Sequence, residues 1–110
     1  MDNNKVLGLN QNIAGALSYF LGVITGVLFF LLAEENKYVK FHASQSIIIF
    51  IALYIVGTVS RWIPLVGGLL SIIVSIASLL LWIGLMYKAY SGEMFKLPVI
   101  GDLAESLARS

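Results

Sequence analysis

Three long stretches of this chain, residues 13–33, 41–59 and 65–87, contain no Lys, Arg, Asp or Glu, although the chain carries seven basic and six acidic residues. All the charges fall between or outside these stretches. At 1.5 Å per residue the first stretch makes a helix of roughly 31 Å, the thickness of a bilayer's hydrocarbon core. Hydrophobic residues make up 59% of the chain and charged residues 12%, whereas soluble domains carry about 25% charged residues. No single soluble core of 110 residues hides that much apolar surface. The expected fold is all-α: a transmembrane three-helix bundle with a short amphipathic C-terminal segment, in one membrane domain over residues 1–110. A closed barrel is excluded, because no segment alternates and such barrels need about eight strands or more. The first stretch exceeds the ~7–15-residue apolar core of a signal peptide, so it reads as a retained span of a multi-pass cell-membrane protein.

The connections are short. Glu34–Lys40 is a polar turn, and Ser60-Arg61-Trp62-Ile63-Pro64 links the second and third stretches. Pro64 suits the first turn of a helix, where its missing N–H has no partner to lose. Residues 88–110 form an interfacial tail. A helix started by Pro98 would put Val99, Ile100, Leu103, Ala104 and Leu107 on one face, with Asp102, Glu105, Ser106 and Arg109 opposite, to lie on the membrane or cap the bundle. Three spans place Lys5 and Arg61 on one side and Lys37, Lys40, Lys88 and Lys96 on the other. The basic excess makes the first loop and the C-terminus cytoplasmic.

Several functions lack their chemistry. A net charge of +1 gives no field for nucleic acid. There are no cysteines, so disulfides, thiolate catalysis and Cys-ligated metals are out. The single histidine, His42, cannot build a metal site alone, and no cofactor is expected. No carboxylate lies within a span, against a proton-coupled exporter, and no lysine does, against a Schiff-base pigment. His42 sits at a helix entrance, not deep beside a serine as an intramembrane protease requires. No acid–base pair converges, so an enzyme is not expected.

Three constellations remain. Ala14, Ser18, Gly22 and Gly26 recur every four residues, and the last pair forms a GxxxG step. Such residues let helices approach closely, within the protomer or between two protomers. Ser71, Ser75 and Ser78 make a similar stripe, for tight packing or for a polar path. At the opening of the second stretch His42, Gln45 and Ser46 share one helical face. They have hydrogen-bonding capacity that lipid cannot meet. Topology puts them beside the segment after the third stretch, where Tyr87, Tyr90, Ser91 and Glu93 lie, and Glu93 could pair with a protonated His42. His42, Gln45, Ser46, Tyr90 and Glu93 are thus the candidate structural or partner-binding cluster. Trp62, Tyr87, Tyr90 and Phe95 suit interfaces as aromatic anchors. Trp82 lies deeper and is expected to pack.

Lys37-Tyr38-Val39-Lys40-Phe41-His42-Ala43-Ser44-Gln45-Ser46 resembles the signature that opens the second helix of the Tic-twenty-like family. Lys88-Ala89-Tyr90-Ser91-Gly92-Glu93-Met94-Phe95-Lys96-Leu97-Pro98 resembles its segment after the last helix, and Val99-Ile100-Gly101-Asp102 continues it as in the small archaeal members. That family groups small prokaryotic membrane proteins of unknown function with a chloroplast inner-envelope protein-import component. The resemblance implies a role near protein translocation. The expected function is non-enzymatic, as a translocation-associated or scaffold component contacting lipid, other membrane proteins or further copies of itself. The alternative is a small channel or transporter formed by oligomerisation, since three helices alone do not enclose a wide aqueous path.

Overall fold

The computed structural model describes residues 5–6, 8–33 and 36–109. Glu34, Glu35, Ser110 and the side chains of Lys5 and Arg109 lie outside what it describes. The protein is all-α apart from a minimal ladder in which β1 (Lys5–Val6) pairs antiparallel with β2 (Leu9–Asn10). The helices are α1 (Gln11–Leu17), α2 (Val23–Leu32), α3 (Lys37–Arg61), α4 (Gly67–Tyr90) and α5 (Ile100–Arg109). Asn10 caps α1 by accepting from Asn12 N–H at 2.8 Å, and Asn36 caps α3 by accepting from Val39 N–H at 2.9 Å. With 25 and 24 residues, α3 and α4 are long and apolar enough to cross a membrane. α2, with 10, is shorter.

The first apolar stretch is not one rod. Where the pattern predicts a single helix over 13–33, the chain makes α1, a turn at 18–22 and α2, and doubles back along the first half of α3. Asn36 Nδ2, at the start of α3, donates to Gln11 Oε1 at 3.3 Å. Going inward, Gly15 lies against Tyr38 and His42, and Gly22 against Phe50. On the return, Gly26 lies against Ala43 and Ile47, and Lys40 Nζ sits 5.1 Å from the centre of the Phe30 ring. Both ends of this helical hairpin stand at the start of α3. Its tip reaches about 20 Å along α3, at 1.5 Å per residue.

The break has a local cause and a tertiary one. Gly22 has φ +64°, a left-handed conformation that glycine adopts without steric cost. Breaking the helix also frees backbone groups, and an unmet one away from water costs about 1–3 kcal/mol. Side chains of three helices meet them. Leu21 N–H donates to Thr25 Oγ1 at 3.0 Å, and Thr25 Oγ1 donates to the Ser18 carbonyl at 3.2 Å. Ser46 Oγ donates to the Gly22 carbonyl at 3.1 Å, and Trp82 Nε1 donates to the Tyr19 carbonyl at 2.9 Å.

The four-residue repeat is therefore not one helical stripe. The Ser18 hydroxyl turns back to the Gly15 carbonyl, Gly22 belongs to the turn, and Gly26 makes the close helix approach. A Cβ at Gly26 would lie 2.9 Å from Ile47 Cγ1 and 3.2 Å from the Ala43 carbonyl oxygen. Gly26→Leu should accordingly destabilise the protein by about 2 kcal/mol or more through overpacking. Gly68→Leu, whose Cβ meets nothing within 4 Å, should leave stability unchanged. Thermal unfolding in detergent measures both, and equal midpoints would contradict the α2–α3 contact.

The tail also folds back. Residues 93–97 run without helix beside α3, and α5 returns. Ala104 and Ala108 pack on Phe41 and Ile48, and Lys37 Nζ donates to the Ala108 carbonyl at 3.3 Å. α5 begins at Ile100, two residues after Pro98, because the chain turns at Pro98 and Val99 first. Its packed face is Gly101, Ala104 and Ala108, while Leu103 and Leu107 are exposed. The smaller side chains let the helix sit close to α3. With the hairpin, α4, the non-helical tail segment and α5 around it, the first half of α3 is enclosed, and residues 41–46 are all buried. The far half is bare: Tyr54, Ile55 and Val59 of α3 and Leu69, Ile72 and Ile76 of α4 are exposed.

Candidate functional site

At the centre of the enclosed half lies a chain of hydrogen bonds whose directions the groups themselves determine. The Leu97 N–H donates to Gln45 Oε1 at 3.0 Å. Gln45 Nε2 uses its two hydrogens on the Phe95 carbonyl and on Tyr19 Oη, both at 2.9 Å. Tyr19 Oη lies 2.7 Å from His42 Nδ1, and His42 Nε2 lies 2.8 Å from the Glu93 carbonyl. A carbonyl only accepts, so His42 Nε2 carries a proton and donates. Tyr19, already accepting from Gln45, can then donate to Nδ1. The donors and acceptors along this path are used, from the tail backbone through α3 and back to the tail.

Aromatic rings shield the path from solvent. The rings of Tyr19, Tyr38 and Phe41 stand edge-on to the His42 imidazole at centroid distances of 5.5, 4.8 and 5.1 Å. The Tyr38 hydroxyl donates to the Ala89 carbonyl, in the last turn of α4 where carbonyls lack helical partners. His42 and Gln45 have no solvent exposure.

The structure brings some of the sequence-derived cluster together and leaves some apart. His42 and Gln45 meet the tail through its backbone, at Glu93, Phe95 and Leu97. Ser46 serves the hairpin tip instead. The Glu93 carboxylate turns outward to Lys88 Nζ at 3.5 Å, so the pairing expected with His42 is made by the Glu93 carbonyl. Tyr90 is exposed and stands by Asn12 and Ile13, away from the path. Tyr19, Tyr38, Thr25 and Trp82 were not in the expected cluster. For Tyr19 and Thr25 the signal was a polar atom inside an apolar stretch with no polar side chain at helical spacing, whereas Tyr38 lies in the polar connection four residues before His42 and Trp82 follows Ser78 by four, so neither stood out.

Two hydroxyls of the serine stripe are consumed locally. Ser75 and Ser78 donate to the carbonyls of Ser71 and Val74 at 2.8 and 2.7 Å. Among the described residues, Ser71 Oγ is buried without a partner, and no group of three His, Asp or Glu side chains stands together. The arrangement holds irregular backbone inside an apolar surround. Non-helical chain is stable there when protein groups satisfy it.

These features define a small all-α membrane protein whose buried polar side chains hold two stretches of non-helical backbone. The chain belongs to the MamF_MmsF family, whose model, described as the magnetosome magnetite crystal formation protein family, matches residues 2–104. A UPF0132 membrane protein of Methanocaldococcus jannaschii is 55% identical over 103 residues, which cover 94% of this chain and 93% of that protein. A UPF0132 membrane protein of Archaeoglobus fulgidus is 50% identical over 97 residues, covering 88% and 94%. The Tic20 family protein Ycf60 of Cyanidioschyzon merolae is 32% identical over 95 residues, covering 81% of this chain and 45% of that protein. That match supports the Tic-twenty-like relationship. No solved structure matches the chain.

Proposed function

We propose that the protein is a non-enzymatic, multi-pass component of the cell membrane that works by lateral contact with other membrane proteins. In this reading α3 and α4 span the bilayer, and the α1–α2 hairpin enters and leaves on one side as a re-entrant element. The exposed apolar flank of α2, with Ile24, Val27, Leu28 and Leu31, faces lipid. α5 lies at the interface on the same side, with its acidic residues toward water.

The observation that carries the proposal is the asymmetry along α3. One half is enclosed and held by hydrogen bonds, and the other is a bare pair of apolar helices. The enclosed half acts as a rigid head, and the bare half offers α3 and α4 to the helices of a partner. The relationship to Tic20 proteins suggests the kind of assembly, one that handles translocating polypeptides. A photo-crosslinking residue at Leu69 or Ile73, in native membranes, should give adducts with discrete membrane proteins, a translocase subunit or a nascent chain among them. Adducts with lipid alone would refute the proposal. A ladder at multiples of the chain's own mass would favour the oligomeric channel instead.

A further inference from the structure

We propose that α4 and the non-helical tail segment form a binding groove for one anionic phospholipid, with Lys88 as its headgroup anchor. The groove has a volume of about 420 Å³, and its lining includes Ala77, Leu80, Leu81, Gly84, Lys88 and Phe95. With Leu85, six α4 residues line it, at positions i, i+3, i+4, i+7, i+8 and i+11 from Ala77, the pattern of one helix face. The stripe is apolar from Ala77 to Gly84 and ends in a cation. From residue 77 to residue 88 it runs about 16 Å at 1.5 Å per residue. That is close to half of the ~30 Å hydrocarbon core, the depth that one acyl chain occupies from the interface to the midplane. Gly84 makes the notch, since a Cβ there would meet nothing within 4 Å. Phe95 walls the mouth, and Lys88 Nζ lies 5.6 Å from the centre of its ring.

Charge selects the headgroup. Lys88 stands at the end of the groove that meets the interface, where its side chain is 39% exposed. Its ion pair with Glu93 is long, at 3.5 Å, and the Glu93 carboxylate is more exposed still. Such exposed pairs contribute little stability, so a lipid phosphate can displace the carboxylate. A lysine near the surface of an anionic bilayer gains about as much from such a contact as a fivefold change in binding. Glu93 competes with the phosphate for Lys88. Removing the carboxylate should strengthen binding, while the Glu93 carbonyl remains on His42.

The inference rests on the membrane placement above. It is tested without it, on the purified full chain in detergent, by native mass spectrometry with added phosphatidylglycerol or phosphatidylcholine. The chain should retain phosphatidylglycerol about fivefold over phosphatidylcholine. Lys88→Gln should abolish that preference, and Glu93→Gln should increase it. Gly84→Leu should reduce retention of both lipids by filling the notch, whereas Gly68→Leu, equally open but outside the groove, should change neither. Equal retention of the two lipids by the unmodified chain would overturn the proposal. So would full retention by Gly84→Leu. Failure here leaves the crosslinking result at Leu69 and Ile73 untouched, so the two readings fall separately.

Discussion

Cysteines introduced at Lys5 and at Lys37 should behave alike in intact cells, both resisting an impermeant thiol reagent, while a cysteine at Arg61 reacts. Three full spans demand a different result, with Lys5→Cys and Arg61→Cys labelled together and Lys37→Cys protected. The expectation follows from the doubled-back path of residues 11–33. Val6 packs in one cluster with Ala14, Phe29, Ala33, Tyr38 and Val39, so the start of α1 and the end of α2 share a level with the start of α3. α4 returns to that level, because Tyr38 of α3 reaches Ala89 of α4. One side then holds Lys5, Lys37, Lys40, Lys88 and Lys96, and the other holds Arg61. With three spans the division was Lys5 and Arg61 against Lys37, Lys40, Lys88 and Lys96. On the re-entrant placement proposed above the basic asymmetry is much steeper, and that side is expected to be the cytoplasmic one. Labelling of Lys5→Cys with protection of Lys37→Cys would restore the third span.

The all-α class was legible because it depends on bulk hydropathy, to which residues 41–59 and 65–87 contribute as continuous apolar runs. The hairpin was not. Hydropathy treats Ser18-Tyr19-Phe20-Leu21-Gly22 as more of the same apolar run, and Gly22 alone is common in membrane helices. Besides Gly22 and Thr25, what holds the bend is a pair of distant donors, Ser46 and Trp82, which are separated from the turn by 24 and 63 positions. No local window contains them. The candidate site was legible in part, since His42 and Gln45 share a helical face and topology puts the tail beside it. Its chemistry was not, because a sequence displays the Glu93 carboxylate and hides its carbonyl. The partners of His42 and Gln45 on the tail are backbone atoms, which every residue has. Tyr19 was concealed by its ring, which counts as apolar while its hydroxyl joins Gln45 to His42.

Gln45→Leu should produce the largest loss of stability of any single change in the buried path. The substitution keeps approximate volume and removes the amide. Three groups then lose a partner at once: the Phe95 carbonyl, the Leu97 N–H and the Tyr19 hydroxyl. A buried group left unmet costs about 1–3 kcal/mol, although side-chain hydrogen bonds between membrane helices average only about 0.6 kcal/mol by double-mutant cycles. The lower figure applies where the stranded group finds another partner nearby. Here two of the three groups are backbone atoms of a non-helical segment packed against α3, with no helical carbonyl or amide to turn to. The larger figure therefore governs, and the expected loss is roughly 3 kcal/mol, a fall of about 10 °C in the thermal midpoint. Tyr19→Phe should lose less, about 1–2 kcal/mol, because it strands side-chain atoms of Gln45 and His42 that can turn. The order matters as much as the size. Hydrogen exchange adds a local readout: the Leu97 amide should lose protection in Gln45→Leu and keep it in Tyr19→Phe. If Gln45→Leu and His42→Ala both unfold at the midpoint of the unmodified chain, with the Leu97 amide still protected, the path does not hold the tail. His42 and Gln45 would then be better read as a surface for a binding partner.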